Sequence, residues 1–545
     1  MRGSSLPLLW AKLGRGEYPA QAHPVVCHLL DVGHSCLALW NSALGPESRR
    51  HWSRAIGVDE NTAGRWVAFW AAAHDIGKVS PSFQFKVRDA KTTLRQAGFA
   101  LGDGRDWPHA TLSTVYLQRE LAAPQDDAWP AVSTSVACAV AAVVGGHHGV
   151  IPASGDIRRC RRGLGTGNWD DARSTIMRLL ADEFGVTGAG APHEPKPADA
   201  GFWLFLAGLI SVADWIGSNA TYFQNGDGNW AGPKDVLDDY RSQARERAER
   251  AVWELGFSRW TPRRTGPLQF RDVHPGISKP RPLQDRCVEI AHRMTEPQLV
   301  LIEAPMGEGK TEAAVYLADH ATHVLGGRGL YIALPTQATS NQMFGRIRKW
   351  LEQRYDLEAD TQRLNLQLLH GRTGFSDAFC DLLRLADIDE LSGGSGRGVS
   401  NDETRPQAHV VAESWFAANR KQQLLAPFGV GTIDQLLLAV LQTKHHFVRL
   451  FGVAARTIIL DEVHAYDAYM TTLMERLLQW LAGLGCPVVL LSATLPAERR
   501  RRLIEAYTGC PTTIPVDSYP RITVAKRAEP NVESHPVESD EARRL

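Results

Sequence analysis

Two kinds of hydrophobic pattern divide this chain near residue 260. Before that point the apolar segments are long and end close to a glycine or a proline, which predicts helices. The clearest helices are predicted at 62–76, 131–145 and 202–217. After residue 282, short aliphatic runs alternate with longer amphipathic segments, and we expect strands at 299–303, 329–334, 457–460 and 487–491. The pattern predicts a multidomain chain, with an all-α domain followed by an α/β domain built on a parallel sheet.

Segments rich in glycine and proline mark where we expect the domains to be joined. They lie at 185–201, 261–282 and 391–406. We therefore predict a first domain over 1–258, a linker over 259–282, a second domain over 283–518 and a tail over 519–545. From about Ala528 onward the tail is polar, and we expect it to fray.

Composition is that of an ordinary folded protein, with 44% hydrophobic and 22% charged residues among 545. The chain carries 60 basic and 60 acidic residues, so its formal net charge is zero and any polyanion must meet a local patch. A solvated surface is the alternative for each basic cluster. The candidate clusters are Arg158, Arg159, Arg161 and Arg162; the stretch 259–286; and Arg499 to Arg502.

The sequence gives no sign of a membrane-bound or secreted protein. The longest apolar runs, 202–213 and 136–144, are shorter than the roughly 18 residues that cross a bilayer. The N-terminus lacks the pattern of a secretory signal. The eight cysteines contain no Cys-x-x-Cys pair, which disfavours a disulfide framework. We therefore expect a cytoplasmic protein without membrane contact.

A glycine-rich loop follows the first predicted strand of the second domain and precedes a helical segment. It reads Ala304-Pro-Met-Gly-Glu-Gly-Lys-Thr311, in the context that a phosphate-binding loop requires. Gly307 and Gly309 let backbone amides turn toward phosphates. Lys310 would reach the β and γ phosphates, and the Thr311 hydroxyl would bind magnesium. The loop predicts a site for ATP with Mg²⁺.

Two later strands end in residues suited to the same nucleotide. Asp461-Glu-Val-His464 follows the strand at 457–460, and Ser492-Ala-Thr494 follows the next one. The carboxyl ends of parallel strands share one edge of a sheet, where ligands bind. We expect Asp461 to hold magnesium through water and Glu462 to orient and deprotonate the attacking water.

These motifs, in this order, resemble those of superfamily 2 helicases of the Asp-Glu-x-His type. The resemblance implies that 283–518 is a first RecA-like lobe and that Gln284 reads adenine. It places His464 with the nucleotide site. It further implies that a group of hydroxyls contacts the backbone of single-stranded nucleic acid, with helix capping as the alternative role. These hydroxyls belong to Thr336, Thr339, Ser340 and Thr432.

Histidines and aspartates recur in the apolar segments of the first domain. Such side chains are costly to bury unless they satisfy one another or a metal ion. The set comprises His28, His74, Asp75, His109, His147, His148 and Asp214. Neighbouring helical residues point about 100° apart, so His147 and His148 can share an ion only at a loosened helix end. Gly145, Gly146 and Gly149 favour such an end.

The order of these residues resembles the HD superfamily of metal-dependent phosphohydrolases, and the paired histidines resemble its two-metal nucleases. The resemblance implies one ion held by His28, His74, Asp75 and Asp214, and a second held by Asp75, His109, His147 and His148, with Asp75 as the catalytic bridge. Two ions about 3.5–4 Å apart can generate hydroxide and clamp a phosphodiester. Imidazole-rich ligation favours iron, manganese, cobalt or nickel over magnesium.

Other polar residues of the first domain stay outside this set. Ser211 and Lys78 are within reach of a substrate phosphate, but we favour ordinary polar packing for both. The remaining histidines considered are expected to lie on the surface or to pack within the fold. These are His34, His51, His193 and His274.

An HD nuclease followed by a superfamily 2 helicase resembles the helicase-nuclease of type I CRISPR interference. The resemblance implies recruitment by the Cascade surveillance complex, whose guide RNA opens an R-loop. It also implies that the protein nicks the displaced single-stranded DNA of an invader at the HD site. ATP-driven 3′ to 5′ translocation would then pull this strand through while it is degraded, and we expect a monomer. Few residues follow Thr494, and Tyr519-Pro-Arg-Ile-Thr-Val524 resembles a crossing toward a second motor lobe. We therefore expect that lobe to be absent and unwinding to be impaired.

Three other functions stay open. An HD nucleotide phosphohydrolase with a regulatory ATPase lobe would release phosphate from nucleotides without cutting DNA. A non-catalytic decoy would bind Cascade without metal. A restriction or repair helicase is disfavoured by the histidine set of the first domain.

Overall fold

The computed structural model describes residues 6–13, 18, 22–224, 234–257, 260, 266–355, 364–370, 410–411, 416, 420–441, 443–515 and 519–538. The chain forms two compact units. The N-terminal unit comprises Met1–Ala43 and Arg49–Glu254, and the C-terminal unit comprises Leu44–Ser48 and Leu255–Leu545.

The first 254 residues are mainly helical, as the sequence predicts. A short antiparallel pair, β1 (Trp10–Leu13) and β2 (Ala22–Pro24), precedes the helices. The helices are α1 (Val25–Ala38), α2 (Pro46–Ile56), α3 (Glu60–Ala72), α4 (Pro81–Gln84), α5 (Arg88–Gln96), α6 (His109–Glu120), α7 (Thr134–Gly145), α8 (Ser154–Cys160), α9 (Asn168–Glu183), α10 (Gly201–Gly217) and α11 (Lys234–Glu254). Short 3-10 or π-helical turns lie at Leu6–Leu8, Leu39–Ala43, Ala73–Lys78, Gln125–Asp127, Arg161–Leu164 and Pro197–Asp199.

The helix predicted over 62–76 is two elements. Helix α3 begins earlier, because the Asp59 carboxylate caps the backbone amides of Asn61 and Thr62. It ends at Ala72, and a 3-10 segment continues to Lys78, within which Asp75 leaves helical geometry at φ −108° and ψ 19°. The apolar pattern predicted His74 and Asp75 on a continuous helix, and the tighter 3-10 turn changes the direction of both side chains. The core of this region includes the fully buried indoles of Trp52, Trp66, Trp70 and Trp169.

The C-terminal unit contains a mixed sheet in which the described residues supply nine strands. These are β3 (Gln298–Glu303), β4 (Leu330–Leu334), β5 (Leu364–Leu369), β6 (Val410–Val411), β7 (Phe428–Thr432), β8 (Thr457–Leu460), β9 (Val488–Ser492), β10 (Arg521–Lys526) and β11 (Glu533–Pro536). Their order across the sheet is β11-β10-β3-β9-β8-β4-β7-β5-β6. All pairs from β3 to β6 are parallel, so each strand of this part ends at the same edge.

Helices pack against this sheet around a core of aliphatic residues. They are α12 (Phe270–Val273), α13 (Pro282–Arg293), α14 (Lys310–Val324), α15 (Gln337–Arg354), α16 (Arg420–Gln423), α17 (Ile433–Leu437), α18 (His446–Val453), α19 (Ala468–Gly483) and α20 (Ala497–Thr508), with a 3-10 turn at Val463–Ala465. The predicted arrangement, a helical domain followed by an α/β lobe with a parallel sheet, is therefore confirmed.

A buried ion pair joins α14 to α15. The guanidinium of Arg354 donates from Nε and Nη2 to the two oxygens of Asp319, at 3.0 Å each. The side chain of Asp319 is 0% exposed and that of Arg354 is 1% exposed. Because neither charge reaches water, Asp319 is stabilised by Arg354 and by His323, whose Nε2 lies 3.5 Å from Oδ1 of Asp319.

The tail differs from the expectation of a frayed end. Strand β10 pairs antiparallel with β3, and β11 pairs antiparallel with β10. The sheet thus continues beyond residue 518, where the lobe was expected to end. Within β10 the four residues 522–525 are all buried, and the burial of Ile522 and Val524 in the core outweighs the polar composition of the surrounding segment.

The predicted connections are only partly described. Residues 391–406 and most of 259–265 lie outside the described residues, while α12 lies within the segment expected to link the domains. Among the residues that the structure covers, no helix combines the length and the apolar character needed to span a membrane.

Candidate metal centre and nucleotide site

The seven predicted ligands of the N-terminal unit come from segments far apart in the sequence. His28 lies on α1, His74 and Asp75 on the 3-10 segment after α3, and Asp214 on α10. His109 is the first residue of α6, and His147 and His148 follow the end of α7 at Gly145. The structure brings all seven into one cluster.

Asp75 lies at the centre of this cluster, and its two oxygens face different histidines. Oδ2 lies 3.3 Å from Nε2 of His28 and 3.3 Å from Nε2 of His74. Oδ1 lies 3.3 Å from Nε2 of His109 and 3.4 Å from Nε2 of His147. The carboxylate therefore stands between two groups of imidazoles, as a bridging ligand would.

The donors fall into two compact sets, His28 with His74 and Asp214, and Asp75 with His109, His147 and His148. Within each set the donor atoms lie within 4.8 Å of one another. Oδ1 of Asp214 lies 3.6 Å from Nε2 of His28 and 3.5 Å from Nε2 of His74. In the other set, Nε2 of His109 lies 2.9 Å from Nε2 of His148.

Backbone contacts orient two of the buried imidazoles. Nδ1 of His74 lies 3.0 Å from the carbonyl oxygen of Ala71, and Nδ1 of His147 lies 2.7 Å from that of Val144. When Nδ1–H donates to a carbonyl, the lone pair of Nε2 points away from the backbone. In both residues that lone pair is directed into the cluster.

A glycine permits the close approach of the segments that carry Asp75 and His109. A Cβ atom on Gly77 would lie 2.1 Å from the carbonyl oxygen of His109 and 2.5 Å from the backbone nitrogen of Ser113. The amide of Gly77 instead donates to the Ser113 hydroxyl at 2.9 Å. Any side chain at position 77 would push α6, and with it His109, away from Asp75.

Burial and charge set the protonation of the cluster. Burial acts to raise the pKa of Asp75, but the Lys78 ammonium and the neighbouring imidazoles outweigh it and hold that pKa well below its usual range. Burial lowers the pKa of His109 to about 4 and that of His28 well below its ordinary value. Burial also acts to lower the pKa of His74, but the Asp75 carboxylate and Asp214 prevail and raise it to about 9.

The cluster fits divalent transition metals by the chemistry of its donors. Four atoms, Nε2 of His28, His74 and His147 and Oδ1 of Asp75, are buried without a hydrogen-bond partner among the described residues. Buried polar atoms are normally paired, so four such atoms grouped together are what a metal-binding site requires. Imidazole nitrogens with shared carboxylates suit iron, manganese, cobalt or nickel.

Residues that the sequence left outside the ligand set have clear positions. Nζ of Lys78 lies 2.6 Å from Oδ2 of Asp75, so this lysine touches the bridging carboxylate. The Ser211 hydroxyl lies 2.9 Å from the carbonyl oxygen of Ala207 and 3.1 Å from that of His147, to which it can donate. It thereby helps to position the backbone of the metal ligand His147.

The four excluded histidines pack elsewhere in the fold. His34 pairs with Glu183 at 3.0 Å, the ring of His51 packs edge-on against Trp52, and Nε2 of His274 lies 2.9 Å from the Glu312 carbonyl oxygen. His193 is exposed, with its backbone amide donating to Ile56.

Sequence reasoning missed Lys12, on β1. Its Nζ donates to the Ser218 hydroxyl at 2.7 Å, and that hydroxyl donates to Oδ1 of Asp214 at 3.0 Å. Burial lowers the pKa of Lys12 despite the nearby Asp214 carboxylate. More than 200 positions separate Lys12 from Ser218, and no local motif marks it.

The predicted nucleotide site lies where β3 meets α14. Gly307 and Gly309 have φ of 82° and 76°, which only glycine adopts readily, and Lys310 and Thr311 open the helix. Nζ of Lys310 donates to the carbonyl oxygens of Ala304 and Pro305, at 2.6 Å and 3.1 Å. Burial lowers the pKa of Lys310 although the carboxylates of Asp461 and Glu462 oppose that effect.

The other predicted nucleotide residues surround this loop. Nε2 of Gln284 donates to the carbonyl oxygen of Gly309 at 3.4 Å, so the side chain rests on the loop. Asp461 follows β8, and burial together with Glu462 raises its pKa. Nδ1 of His464 lies 3.2 Å from Oε2 of Glu462 and 3.3 Å from Oγ of Ser492. A helix N-terminus, a lysine and paired carboxylates suit ATP with Mg²⁺.

The hydroxyls implied to contact nucleic acid divide into two kinds. Thr336 and Thr339 are exposed at the start of α15, where Oγ1 of Thr336 also accepts from the Thr339 amide at 3.2 Å. Ser340 is fully buried and donates to the Thr336 carbonyl oxygen, and Thr432 is buried as well. Thr336 therefore has the alternative role, that of a helix cap. Ser340 and Thr432 are buried and do not present their side chains to solvent.

Comparisons with known proteins point in one direction. Residues 10–223 match the family described as "Cas3, HD domain". A CRISPR-associated endonuclease/helicase Cas3 of Thermus thermophilus is 37% identical over 92% of this chain and 51% of its own length. The crystal structure of T. fusca Cas3 with ADP is similar with a TM-score of 0.78 at 30% identity, over 98% of this chain and 56% of that one.

A structure described as a CRISPR RNA-guided surveillance complex before nicking also contains a similar chain. The TM-score is 0.64 at 28% identity, over 97% of this chain and 54% of that one. This chain thus spans about half the length of the relatives that it matches. The resemblance stated from the sequence motifs is confirmed: residues 10–223 match the Cas3 HD-domain family, and the chain as a whole is similar to Cas3 CRISPR-associated nuclease/helicases.

Proposed function

We propose that the N-terminal unit is a metal-dependent nuclease for single-stranded DNA and that the C-terminal unit is an ATP-binding helicase lobe. The observation that carries the nuclease is the position of Asp75, whose two oxygens each face a different set of donors. Two separate sets joined by one carboxylate are what a two-metal phosphodiesterase needs.

The chain's own residues have distinct tasks in this proposal. His28, His74 and Asp214 would hold one ion, and the set around His109 the other, with Asp75 shared between them. When bound, two such ions supply a hydroxide nucleophile and neutralise charge on the phosphodiester. Lys78 keeps the Asp75 carboxylate ionised and oriented through its contact at 2.6 Å. In the net reaction, the oxygen of one water forms a bond to phosphorus, the bond from phosphorus to one sugar oxygen breaks, and a proton from the water ends on that leaving oxygen.

The wider biological role follows from the family. We propose that a guide-RNA surveillance complex of the Cascade type delivers this chain to the displaced strand of an R-loop. The structural neighbour within a surveillance complex supports this partner. The 3′ to 5′ direction, the monomeric state and the cytoplasmic location expected from the sequence stay predictions.

The test of the nuclease offers circular single-stranded DNA to the chain with manganese, cobalt, nickel or magnesium and without ATP. We expect nicking with at least one of the transition metals, seen as linear product on a denaturing gel. Release of phosphate from nucleotides without any nicking would instead indicate the phosphohydrolase. Binding to a surveillance complex without metal uptake would indicate the decoy.

The nucleotide site gives an independent prediction. Lys310→Ala should weaken binding of ATP with Mg²⁺ by at least about tenfold, because a charge-assisted hydrogen bond contributes about 1.5–3 kcal/mol. The measurement is a titration with a fluorescent ATP analogue. Lys349→Ala, which removes an exposed lysine of α15, is the matched control. Equal affinity in the two variants would contradict the assignment of Lys310.

A further inference from the structure

Four arginines project into solvent from one short segment of the N-terminal unit. Arg158 and Arg159 lie on α8, and Arg161 and Arg162 lie on the 3-10 turn that follows. All four are exposed. The segment 154–164 contains a single carboxylate, Asp156, which pairs with Arg159. The surface therefore carries a strong local excess of positive charge in a chain whose net charge is zero.

The two other basic clusters of the sequence differ from this one. In the run Arg499 to Arg502 each guanidinium bonds to the protein: Arg500 pairs with Glu303, Arg501 with Glu498 and Glu505, and Arg502 with Glu475, while Arg499 donates to backbone carbonyls. Part of 259–286 lies outside the described residues. Among the described residues, by contrast, no carboxylate pairs with Arg158, Arg161 or Arg162.

A short connection along the chain joins the metal centre to the first residue of the arginine segment. Helix α8 starts at Ser154, six positions after the ligand His148. At about 3.3–3.6 Å per residue, that connection spans at most about 20 Å. His148 is itself an exposed member of the ligand cluster. The arginine segment therefore begins within about 20 Å of an exposed ligand of the centre.

The last residues of the arginine segment also contact elements that carry metal ligands. A Cβ atom on Gly163 would lie 2.4 Å from the ring of Trp107 and 3.1 Å from Leu112, so the turn packs on the residues that flank His109. The buried guanidinium of Arg173 donates to the carbonyl oxygens of Val79 and Leu164, at 2.7 Å and 2.6 Å. This bond joins the end of the arginine turn to the residue after Lys78. The segment is therefore held beside two of the ligand-bearing elements.

A neighbouring cleft does not supply the same charge. It has a volume of about 350 Å³ and contains three cations, Lys86, Lys91 and Arg105, but also Asp103 and Asp106. Lys86 pairs with Asp106 at 2.8 Å, so the charges of the cleft largely cancel. The excess positive charge beside the metal centre comes from the arginine segment.

We infer that Arg158, Arg159, Arg161 and Arg162 form a phosphate-binding track that holds the backbone of single-stranded DNA beside the HD metal centre. Guanidinium groups on an exposed surface bind phosphate oxygens without reading sequence, which suits a nuclease that accepts any strand. The inference rests on the proposed nuclease function, because it assigns the track to the substrate of that centre.

The experiment uses the full chain and two readouts. In EDTA, fluorescence anisotropy gives the Kd of a labelled 30-nucleotide thymidine oligonucleotide over a series of salt concentrations. In Mn²⁺, hydrolysis of bis(4-nitrophenyl) phosphate reports on the metal centre with a substrate too short to reach the track. The variant carries Arg158→Ala, Arg159→Ala, Arg161→Ala and Arg162→Ala. The matched control carries Arg119→Ala and Arg178→Ala, two exposed arginines on α6 and α9.

We expect the fourfold variant to bind the oligonucleotide at least about tenfold more weakly and to lower the slope of log Kd against log salt by up to about 3, since each phosphate contact on a single strand contributes about 0.7. Replacing the same four arginines by lysine should restore most of the binding. A wild-type Kd in the fourfold alanine variant, or an equal loss in the control, overturns the track. Absence of diester hydrolysis in the wild type overturns the nuclease proposal, while the Kd comparison still decides the track.

Discussion

Asp75→Asn is expected to abolish metal-dependent cleavage of single-stranded DNA, with a loss of at least about 100-fold. Replacing an outer-shell partner of a metal ligand typically costs 10–100-fold, and Asp75 occupies the centre of both donor sets. The amide keeps the shape of the carboxylate but removes the charge that faces four imidazoles and Lys78. The measurement is the initial rate of nicking of circular single-stranded DNA in Mn²⁺.

Two further variants make the result interpretable. Asp171→Asn changes the same charge on the exposed surface of α9 and should leave the rate unchanged. His148→Ala removes an exposed member of the second donor set while leaving the buried contacts of Asp75 intact, so a fall in rate there is not due to misfolding. Nicking by Asp75→Asn at the wild-type rate would refute the assignment of the centre.

Much of this centre could be predicted from the sequence, because histidines and aspartates in apolar segments are chemically conspicuous. The resemblance of these seven residues to the HD superfamily implied a partition between two ions, and the structure brings the same residues together. The opposite orientations of the two Asp75 oxygens depend on a break after α3 that hydrophobic periodicity does not reveal. Lys12 was missed for a related reason, since only the tertiary fold brings β1 next to Ser218.

The α/β lobe shows a similar division between what the sequence predicted and what it could not. Short aliphatic runs bounded by functional motifs located β3, β4, β8 and β9 to within a residue or two. The sequence could not show that β10 returns antiparallel to β3, because pairing partners are set by the whole sheet. For the same reason the polar end of the chain was expected to fray, whereas β11 pairs with β10.

Arg354→Met is expected to destabilise the C-terminal unit by about 3–5 kcal/mol, the range for breaking a buried ion pair. The substitution leaves the Asp319 carboxylate fully buried without its bidentate partner. The measurement is the free energy of opening from amide hydrogen exchange in α14 and α15, which reports on this unit alone. Arg354→Met/Asp319→Leu should recover most of the loss, because no unpaired charge remains.

Arg348→Met is the matched control, on the same helix. Arg348 pairs with Glu352 at 2.9 Å, but both side chains are about one-third exposed, so its loss should cost less than about 1 kcal/mol. Equal costs for the two methionine variants would contradict the importance of burial at Asp319.

The same pair gives a pH dependence with a defined sign. Burial acts to raise the pKa of Asp319, but His323 and Arg354 outweigh it and the pKa is lowered. A lowered pKa in the folded state stabilises the unit above the unfolded value near about 4, and that stabilisation is lost as pH falls through the folded pKa. In Arg354→Met, His323 still opposes burial, so we expect the stabilisation above about pH 4 to be smaller than in the wild type.

The spread of the metal ligands along the chain has a consequence for the lifetime of the protein. The donors come from α1, α6, α10 and the ends of α3 and α7. Two metal ions held by them would act as a cross-link between residues up to 186 positions apart. Because metal binds the folded state and not the dispersed ligands, its binding energy adds to the stability of the fold. A cell short of the preferred metal would therefore hold chains that open more often and meet proteases sooner, so metal supply would govern the amount of this protein as well as its activity.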